Sequence, residues 1–488
     1  MAMKNELVEI VGKENVSGDP EILESYAGDR NFASHLKPWF IVKPKNADQV
    51  QEIIEWAKET DTPLVPVSSG APHLRGGSAP DVPQAVIVDL SGMKKILSIN
   101  RQQRMAVVEP GVTYGELQTA LANEGMTLST PLAPRATKSV VASVLEIEPR
   151  LNSIHQWMYM DPLRCVEVVW GDGNRIYTGE AGGGVRDLQK QWSQEKWQVD
   201  PLGPMMLDFY RLLTAAQGSM GIVTWVSLKC EILPKIHKLY LVPAKESEDL
   251  NDFVYRVVKL RFSDELMIMN GAYLASLLGE SASRVRELQG ELPSWVALVG
   301  IAGRELLPEE RVAAQEADIA EIAQQGGLKF LPAVPGARGE DVLKKIINPS
   351  DGKYWRETLK GAFKDIFFVT QLDKTPKFIQ TVYQLAEEAG YPSTDVGVYI
   401  QPQHQGSSYH CEFSLPYDPE NPKEVALIKE LYLSASEKLS GLGAFYARPY
   451  GIWSKLQLNK DARSAVELKK LKGIFDPKGI MNPGKLSI

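Results

Sequence analysis

Residues 62–80 read TPLVPVSSGAPHLRGGSAP, and this stretch decides how the rest of the chain is interpreted. An apolar strand runs into Ser68-Ser69-Gly70, and Gly76-Gly77-Ser78 closes the turn. Small residues allow consecutive backbone N–H groups to converge on an anion such as a phosphate, and Arg75 between them can add positive charge. The alternative is a surface loop between two strands, so the interpretation depends on the surrounding sequence.

The sequence around this loop predicts a mixed α+β unit. Residues 40–56 form a short apolar strand followed by an amphipathic helix that Asn46 and Asp48 open. A strand at 82–93 follows the loop, and residues 105–125 are typical of a strand that leads into a second helix. This order differs from a single doubly wound Rossmann sheet, in which strands and helices alternate regularly.

The rest of the chain predicts a second domain. Residues 161–180 are typical of a hairpin, and the glycine-rich, polar stretch 180–203 is predicted to be mobile. We expect a first domain over 1–235. Between 236 and 439, apolar strands alternate with charged helices, which predicts an α+β domain with an antiparallel sheet. Residues 440–488 are expected to return to the first domain.

The composition excludes several classes of protein. The 488 residues carry a net charge of −7, and 44% are hydrophobic, which is typical of a globular protein and argues against a nucleic-acid binder. Cys165, Cys230 and Cys411 lie far apart, which excludes a disulfide framework and a cysteine-ligated cluster within this chain. Neither a signal peptide nor a membrane-spanning apolar run is visible, so we expect a cytoplasmic protein.

Four further motifs follow the loop in a fixed order. They are VVEPGVTYGELQTAL (107–121), STPLAPRATKSVVASVLE (129–146), GSMGIVTWVSLKCEILP (218–234) and IFDPKGIMNPGK (474–485). In this combination the chain resembles the vanillyl-alcohol oxidase / para-cresol methylhydroxylase (PCMH) family of flavoproteins. The resemblance implies an α+β protein with a PCMH-type FAD-binding domain of two subdomains and an α+β cap domain over the isoalloxazine.

The resemblance also implies which residues contact FAD. In chain order they are Ser68, Ser69, Gly70, Ala71, Pro72, His73, Val112, Thr113, Ser139, Ser143, Gly218, Ser219, Gly221 and Ile222. The first six would wrap the pyrophosphate, Ser139 and Ser143 would face the adenine-nucleotide half, and the last four would place backbone amides against the flavin. Glycine is expected there because a side chain would block close approach. Relatives usually carry glycine where Ala142 stands, and the segment 146–160, with Arg150, His155 and Trp157, also departs from their pattern.

Two histidines are candidates for a covalent bond to the flavin. His410, in SSYHCEFSLPYDP, matches the cap strand that holds such a histidine in some relatives, and His73 lies in the pyrophosphate loop, the attachment site in other flavoproteins of this fold. The third alternative is FAD held without a covalent bond. His404 is interpreted as a surface or loop residue, and no metal site is expected.

The substrate-binding residues implied by the resemblance lie in FYARPY (445–450). Arg448 suits an anionic oxygen or carboxylate through charge-assisted hydrogen bonds, and Tyr446 and Tyr450 suit it as O–H donors. The alternative for Arg448 is an ion pair with a carboxylate between domains. Arg75 stands where the aromatic-alcohol branch carries a tyrosine, so we expect a substrate that differs from simple phenols.

We therefore expect an FAD-dependent oxidoreductase that transfers a hydride from an oxygenated small molecule, of the phenol or aromatic-alcohol type, to flavin N5. Electrons would then pass to oxygen or to an electron-transfer protein or subunit. Two alternatives stay open: a 2-hydroxy acid dehydrogenase that passes electrons to an electron-transfer protein, and a non-catalytic FAD-holding subunit of a larger redox complex. Relatives imply a homodimer, and neither a nucleic acid nor a membrane is expected as a partner.

Overall fold

The computed structural model describes residues 2–28, 32, 35–152, 156, 160–178 and 209–487. The stretch 180–203, His155 and Trp157 lie outside the described residues. Among the helices that the structure describes, none combines the length and the apolar character needed to cross a membrane.

The first part of the chain folds into α1 (Ala2–Val11), β1 (Val16–Ser17), α2 (Pro20–Ala27), β2 (Phe40–Val42), α3 (Ala47–Thr60), β3 (Leu64–Val67) and β4 (Val86–Asp89). The strands form one sheet in the order β1-β2-β4-β3, parallel except for β1. The predicted helix begins where Asn46 caps it, accepting a hydrogen bond from the Gln49 amide at 2.9 Å. Val50, Ile53 and Ile54 are buried against the sheet, as their helical spacing predicts.

The next part contains β5 (Ile96–Asn100), β6 (Met105–Val108), α4 (Tyr114–Asn123), β7 (Met126–Thr127), α5 (Val140–Leu145), β8 (Leu163–Trp170), β9 (Arg175–Tyr177), α6 (Tyr210–Leu213), β10 (Gly221–Lys229) and β11 (Glu231–Ile232). Five strands form an antiparallel sheet in the order β5-β6-β10-β8-β9. The pairing of β8 with β9 confirms the predicted hairpin. The remaining two strands, β7 and β11, pair with each other.

The cap contains β12 (Ile236–Ala244), α7 (Asn251–Leu260), β13 (Leu266–Asn270), α8 (Gly271–Leu278), α9 (Ala282–Glu291), β14 (Trp295–Gly303), α10 (Pro308–Gln325), β15 (Ala333–Val334), β16 (Ala337–Arg338), α11 (Gly339–Ile347), β17 (Ala362–Thr370), α12 (Thr375–Glu388), β18 (Gly397–Gln403), β19 (Ser408–Tyr417) and α13 (Pro422–Gly441). Six of its strands form one sheet in the order β12-β14-β13-β18-β19-β17, with every neighbouring pair antiparallel. These sheets confirm the predicted α+β fold, whereas the domain boundaries at 235 and 439 stay a prediction.

The two faces of the cap sheet differ in character. Ile366, Phe368 and Phe413 lie in an apolar core together with residues of α7, α10, α12 and α13. Successive side chains of a strand point to opposite faces, so His410 and Glu412 lie on the other face. In the register of β18 and β19, His410 and Glu412 are each paired with a residue of β18. Helices α8, α9 and α11 cover other parts of that second face, so the cap presents polar side chains there at His410 and Glu412 on β19.

The end of the chain contains α14 (Ile452–Leu458) and α15 (Ala462–Phe475) and then contacts the first sheet. Met481 forms a β-bridge with Leu64. The side-chain amide of Asn482 donates hydrogen bonds to the carbonyl oxygens of Gly77, at 2.9 Å, and Gln217, at 2.6 Å. The motif DPKGIMNPG thus connects the loop after β3 with the turn before β10.

Candidate active site

A cavity of about 1640 Å³, counting its open mouth, is lined by both halves of the chain. The N-terminal half contributes the loop 66–78, the segment 131–149 and the turn 213–223. The cap contributes side chains of β18 and β19, and the chain after α13 contributes Arg448 and Tyr450. The predicted phosphate-binding loop and the predicted substrate residues therefore meet at one cavity.

The loop after β3 presents free backbone donors. The amide N–H groups of Ser69, Gly70, Ala71 and His73 donate to no residue that the structure describes. The Ser69 hydroxyl accepts a hydrogen bond from the amide of Ser139 at 3.2 Å, which ties the loop to the start of α5. Consecutive unpaired N–H groups form a concave anion site, so this loop fits a pyrophosphate.

Gly218 and Gly221 are required by packing within the protein. Gly218 has a φ of +70°, and a Cβ there would lie 2.3 Å from Cγ of Pro66. A Cβ at Gly221 would lie 2.6 Å from the carbonyl oxygen of Val169. From the sequence, glycine is expected at these two positions for a different reason, namely close approach of the flavin. The departure at Ala142 is accommodated, because Ala142 lies inside α5 and lines the cavity.

The structure separates the expected cofactor contacts into two groups. Those whose residues line the cavity are Ser68, Ser69, Pro72, His73, Gly218, Gly221, Ile222 and His410. Those that lie outside its wall are Gly70, Ala71, Val112, Thr113, Ser139, Ser143 and Ser219. For the second group, contact with the cofactor stays a prediction, and for Gly70 and Ala71 it would be made by main-chain N–H groups.

The hydroxyl groups in the second group already have partners within the fold. Thr113 caps α4 in a capping box. Ser139 caps α5, accepting from the Ala142 amide at 3.0 Å, and donates to the carbonyl oxygen of Pro110 at 2.6 Å. Ser143 is fully buried and donates to Glu148 at 2.5 Å. These side chains hold the segments that shape the cavity.

Arg75 belongs to a cluster of two cations and two carboxylates. It donates to Glu148 at 2.8 Å and approaches Glu146 at 3.4 Å, and Lys138 contacts both carboxylates at 2.9 Å. Burial disfavours the charge of Arg75, but Glu148 and Glu146 outweigh it and raise the pKa of the guanidinium. Burial would raise the pKa of Glu148, but Lys138 and Arg75 hold that pKa well below its usual range. Arg75 is therefore compensated by two carboxylates, and its role towards an anion stays a prediction.

Arg448 differs from Arg75 because part of its guanidinium has no partner. The residue is only 5% exposed, and its Nη1 has no hydrogen-bond partner among the residues that the structure describes. The guanidinium carbon lies 3.8 Å from the centroid of the Phe367 ring. Burial, with a further contribution from Arg75, lowers the pKa of Arg448. The expected alternative, an ion pair with a carboxylate, is not found among the described residues, so a donor stays free to bind an anion.

The two tyrosines beside Arg448 have different surroundings. Tyr450 lines the cavity, and its hydroxyl has no hydrogen-bond partner in the described part of the chain. Burial and then Glu146 raise the pKa of Tyr450, so it stays an O–H donor. Tyr446 lies outside the cavity wall, donates to the Ser436 carbonyl oxygen at 2.8 Å and stacks on Trp453. The hydroxyl of Tyr446 is therefore occupied within the fold, and its contact with substrate stays a prediction.

His410 lies on the cavity wall in a network of buried charges. Its Nε2 is 3.2 Å from Glu412, and burial lowers the pKa of His410 to about 4, so the ring is neutral at neutral pH. Arg356 donates to Glu412 at 2.5 Å and to Asp365 at 3.0 Å. Burial would raise the pKa of Glu412, but Arg356 and His410 hold it far below its usual range. Burial raises the pKa of Asp365 to about 6, although Arg356 opposes the shift.

His73 and His404 are placed apart from this network. The His73 ring lies 5.5 Å from the ring of Tyr26, and burial, with Arg135, lowers the pKa of His73. His404 lies in the turn between β18 and β19. In the part of the chain that the structure describes, no group of three or more His, Cys, Asp or Glu side chains could hold a metal ion.

Sequence reasoning missed several residues of the wall. They are Arg135, Tyr354, Arg356, Tyr399 and Glu412. Strand alternation could have found Glu412, because it lies two positions after His410 on the predicted strand. Arg135 lies within the quoted motif 129–146, Tyr354 and Arg356 lie together on one short turn, and only the fold brings these segments and Tyr399 to one cavity.

Comparison with known proteins gives the following relationships. Residues 38–179 match the FAD binding domain model, and residues 293–486 match the C-terminal domain model of FAD linked oxidases. The D-2-hydroxyglutarate dehydrogenase of Stutzerimonas stutzeri is 23% identical, over 99% of this chain and 98% of its own length. The 4-cresol dehydrogenase flavoprotein subunit of Pseudomonas putida is 27% identical, over 51% of this chain and 45% of its own. The crystal structure of p-cresol methylhydroxylase with substrate bound has a TM-score of 0.81 at 18% identity, covering 100% of this chain and 96% of that one.

The residues present fit the cofactor that both domain models specify. The unpaired N–H groups of the loop 69–73 suit a pyrophosphate, and the cavity continues from this loop to the polar face of the cap sheet. The chain carries an FAD-binding domain of the PCMH type and an FAD-linked oxidase C-terminal domain; it binds FAD and is an FAD-linked oxidoreductase.

Proposed function

We propose that the chain oxidises an oxygenated aromatic compound, a phenol or an aromatic alcohol, whose oxygen binds to Arg448. The unpartnered, buried Nη1 of Arg448 carries this proposal. A buried donor without a partner costs about 1–3 kcal/mol, and more when it is charged, so its retention favours a bound anion. Phe367, Tyr354, Tyr399 and Tyr450 supply aromatic surface nearby, which suits an aromatic ring.

The chain's own residues bind and orient the substrate. FAD, when bound, supplies the acceptor for the hydride that leaves the substrate carbon. Arg448 donates to the substrate oxygen and stabilises its negative charge, and Tyr450 adds a neutral O–H donor. The stacking of Arg448 on Phe367 fixes the plane of the guanidinium, so the donor is positioned before the substrate arrives.

His410 and Glu412 provide a proton acceptor on the same wall. His410 is 2% exposed and neutral, and its hydrogen bond to the ionised Glu412 fixes the orientation of the ring. A neutral imidazole held in this way can accept the proton of a substrate hydroxyl as the hydride departs. Glu412 then stabilises the positive charge that develops on His410.

The direct test is reduction of the FAD-loaded protein under anaerobic conditions. We expect 4-hydroxybenzyl alcohol or 4-methylphenol to bleach the flavin absorbance, and Arg448→Met to slow the bleaching by about 10- to 100-fold, the loss of one charge-assisted hydrogen bond. Arg338→Met, at a residue whose side chain is 72% exposed, removes a charge from outside the cavity and serves as the matched control. An FAD-loaded protein that none of the aromatic compounds reduces would exclude the proposal.

A second candidate is the oxidation of a 2-hydroxy acid. A planar guanidinium binds a carboxylate in bidentate fashion, so Arg448 suits this substrate as well. The similarity to a D-2-hydroxyglutarate dehydrogenase over nearly the whole length of both chains supports this candidate. Bleaching of the flavin by D-lactate or glycolate, and not by the phenols, would select it.

Four further expectations stay predictions: the electron acceptor, the covalent bond through His410 or His73, the homodimer and the cytoplasmic location. For the bond, acid precipitation separates the alternatives, because covalently attached flavin stays with the pellet. A peptide map of a yellow pellet would then distinguish His410 from His73.

A further inference from the structure

Arg135 is a second cation of the cavity wall that lacks a partner. Its main chain is held against the cap: residue 135 forms a β-bridge with Ser350, and the Ala136 amide donates to the Ser350 carbonyl oxygen at 2.9 Å. Its guanidinium lies over the Tyr354 ring, 5.9 Å from the centroid. Nη1 is buried and has no hydrogen-bond partner, and Arg135 forms no ion pair with any described residue.

The other cations of the wall are compensated. Arg75 and Lys138 share the carboxylates of Glu146 and Glu148, and Arg356 contacts Glu412. Among the described residues of the wall, Arg135 and Arg448 are the cations that have a buried guanidinium nitrogen without a partner and no ion pair with a carboxylate. Arg356 Nε also lacks a hydrogen-bond partner, but the charge of that residue is balanced. Two uncompensated cations suit a ligand with two anionic groups better than a ligand with one.

The loop 69–73 offers main-chain donors for the pyrophosphate, although the charge of Arg135 also acts on His73 in that loop. Tyr354, on which Arg135 stacks, lines the same cavity as Arg448. Arg135 and Arg448 are therefore both available to a ligand in that cavity.

We infer that Arg135 binds a carboxylate of the substrate, so the preferred substrate is an aromatic compound with both an oxidisable hydroxyl group and an acidic group. This inference rests on the proposed function. The N–H donors of a guanidinium match the two oxygens of a carboxylate. When no substrate is bound, the ring of Tyr354 stabilises the positive charge of Arg135. The acidic group and the hydroxyl oxygen then bind to separate arginines.

The test compares 4-hydroxymandelate with 4-hydroxybenzyl alcohol, which differ by one carboxylate at the reacting carbon. We expect the wild-type protein to prefer the acid in kcat/KM, and Arg135→Gln to reduce this preference by about 10- to 100-fold. Arg135→Lys keeps the charge and should restore part of the preference. Arg338→Gln is the control for the loss of one positive charge outside the cavity.

Two further measurements separate the failure of this inference from the failure of the proposed function. Titration with 4-hydroxybenzoate and with phenol, followed by the change in the flavin spectrum, reports binding without turnover, and Arg135→Gln should weaken only the benzoate. Titration of the FAD-free protein with FAD should give the same affinity for both variants and wild type. Weaker FAD binding with an unchanged preference would assign Arg135 to the pyrophosphate and overturn the inference, as would no change in any of these quantities.

Discussion

Replacing Glu148 by glutamine tests the buried charge cluster on which the cavity wall depends. The Glu148 carboxylate is 9% exposed and accepts from Arg75 at 2.8 Å, Lys138 at 2.9 Å and Ser143 at 2.5 Å. Glutamine keeps the size and an oxygen for Ser143, so the change removes mainly the negative charge. Arg75 and Lys138 then share the single carboxylate of Glu146.

The expected loss follows from the burial of the pair. Removing one partner from a buried ion pair costs about 3–5 kcal/mol, and because Glu146 stays in place we expect about 3 kcal/mol at neutral pH. At about 2 °C per kcal/mol, the apparent Tm of the Glu148→Gln protein falls by about 6 °C in a thermal unfolding experiment followed by circular dichroism. Glu146→Gln is the matched control, since this carboxylate contacts the same cations but is 30% exposed, and it should cost about 1 kcal/mol or less.

The pH dependence gives the same prediction an independent readout. The folded protein lowers the pKa of Glu148 below the ordinary value of 4.5, so its contribution is fully present above that value and is lost as the pH falls towards the folded-state pKa. The difference in stability between wild type and Glu148→Gln should therefore be constant near neutral pH and shrink below about pH 4.5. A Glu148→Gln protein as stable as Glu146→Gln, or a difference that grows in acid, would refute the reasoning.

Two further predictions address individual positions. Tyr446→Phe should leave kcat and KM unchanged and lower the free energy of unfolding by about 1 kcal/mol, because it removes the hydrogen bond to Ser436. Tyr450→Phe should raise KM. The opposite kinetic pattern would place Tyr446, and not Tyr450, in the substrate site. Gly218→Ala should lower the thermal stability of the FAD-free protein, because its Cβ would overlap Pro66 at a positive φ, and a variant as stable as wild type would contradict this packing argument.

Local signals predicted the elements that depend on local chemistry. Asn46 and the apolar spacing of Val50, Ile53 and Ile54 predicted α3, and both the cap and the buried stripe are found. The loop after Val67 was predicted from its small residues, because small side chains leave the backbone N–H groups accessible to an anion. These signals reside within a few residues of the structure that they specify.

Site residues depend on contacts that no local pattern encodes. Arg75 and Glu148 are 73 positions apart, so the sequence shows a cation in a phosphate loop but not the carboxylate that compensates it. Tyr446 and Tyr450 lie on either side of Arg448 in an irregular segment without periodicity. Only the packing of Trp453 against Tyr446 determines that Tyr450, and not Tyr446, reaches the cavity.

The charge of the substrate follows from which cations stay uncompensated rather than from how many are present. Five cationic side chains line the cavity, a number that suggests a strongly anionic ligand. Three of them, Arg75, Lys138 and Arg356, are neutralised by carboxylates of the protein and so add little attraction for an anion. The remaining two, Arg135 and Arg448, lie on chain segments far apart in sequence, one before α5 and one before α14. If both arginines bind the substrate, as inferred above, that substrate carries two groups that accept hydrogen bonds from a guanidinium, one for each of these segments.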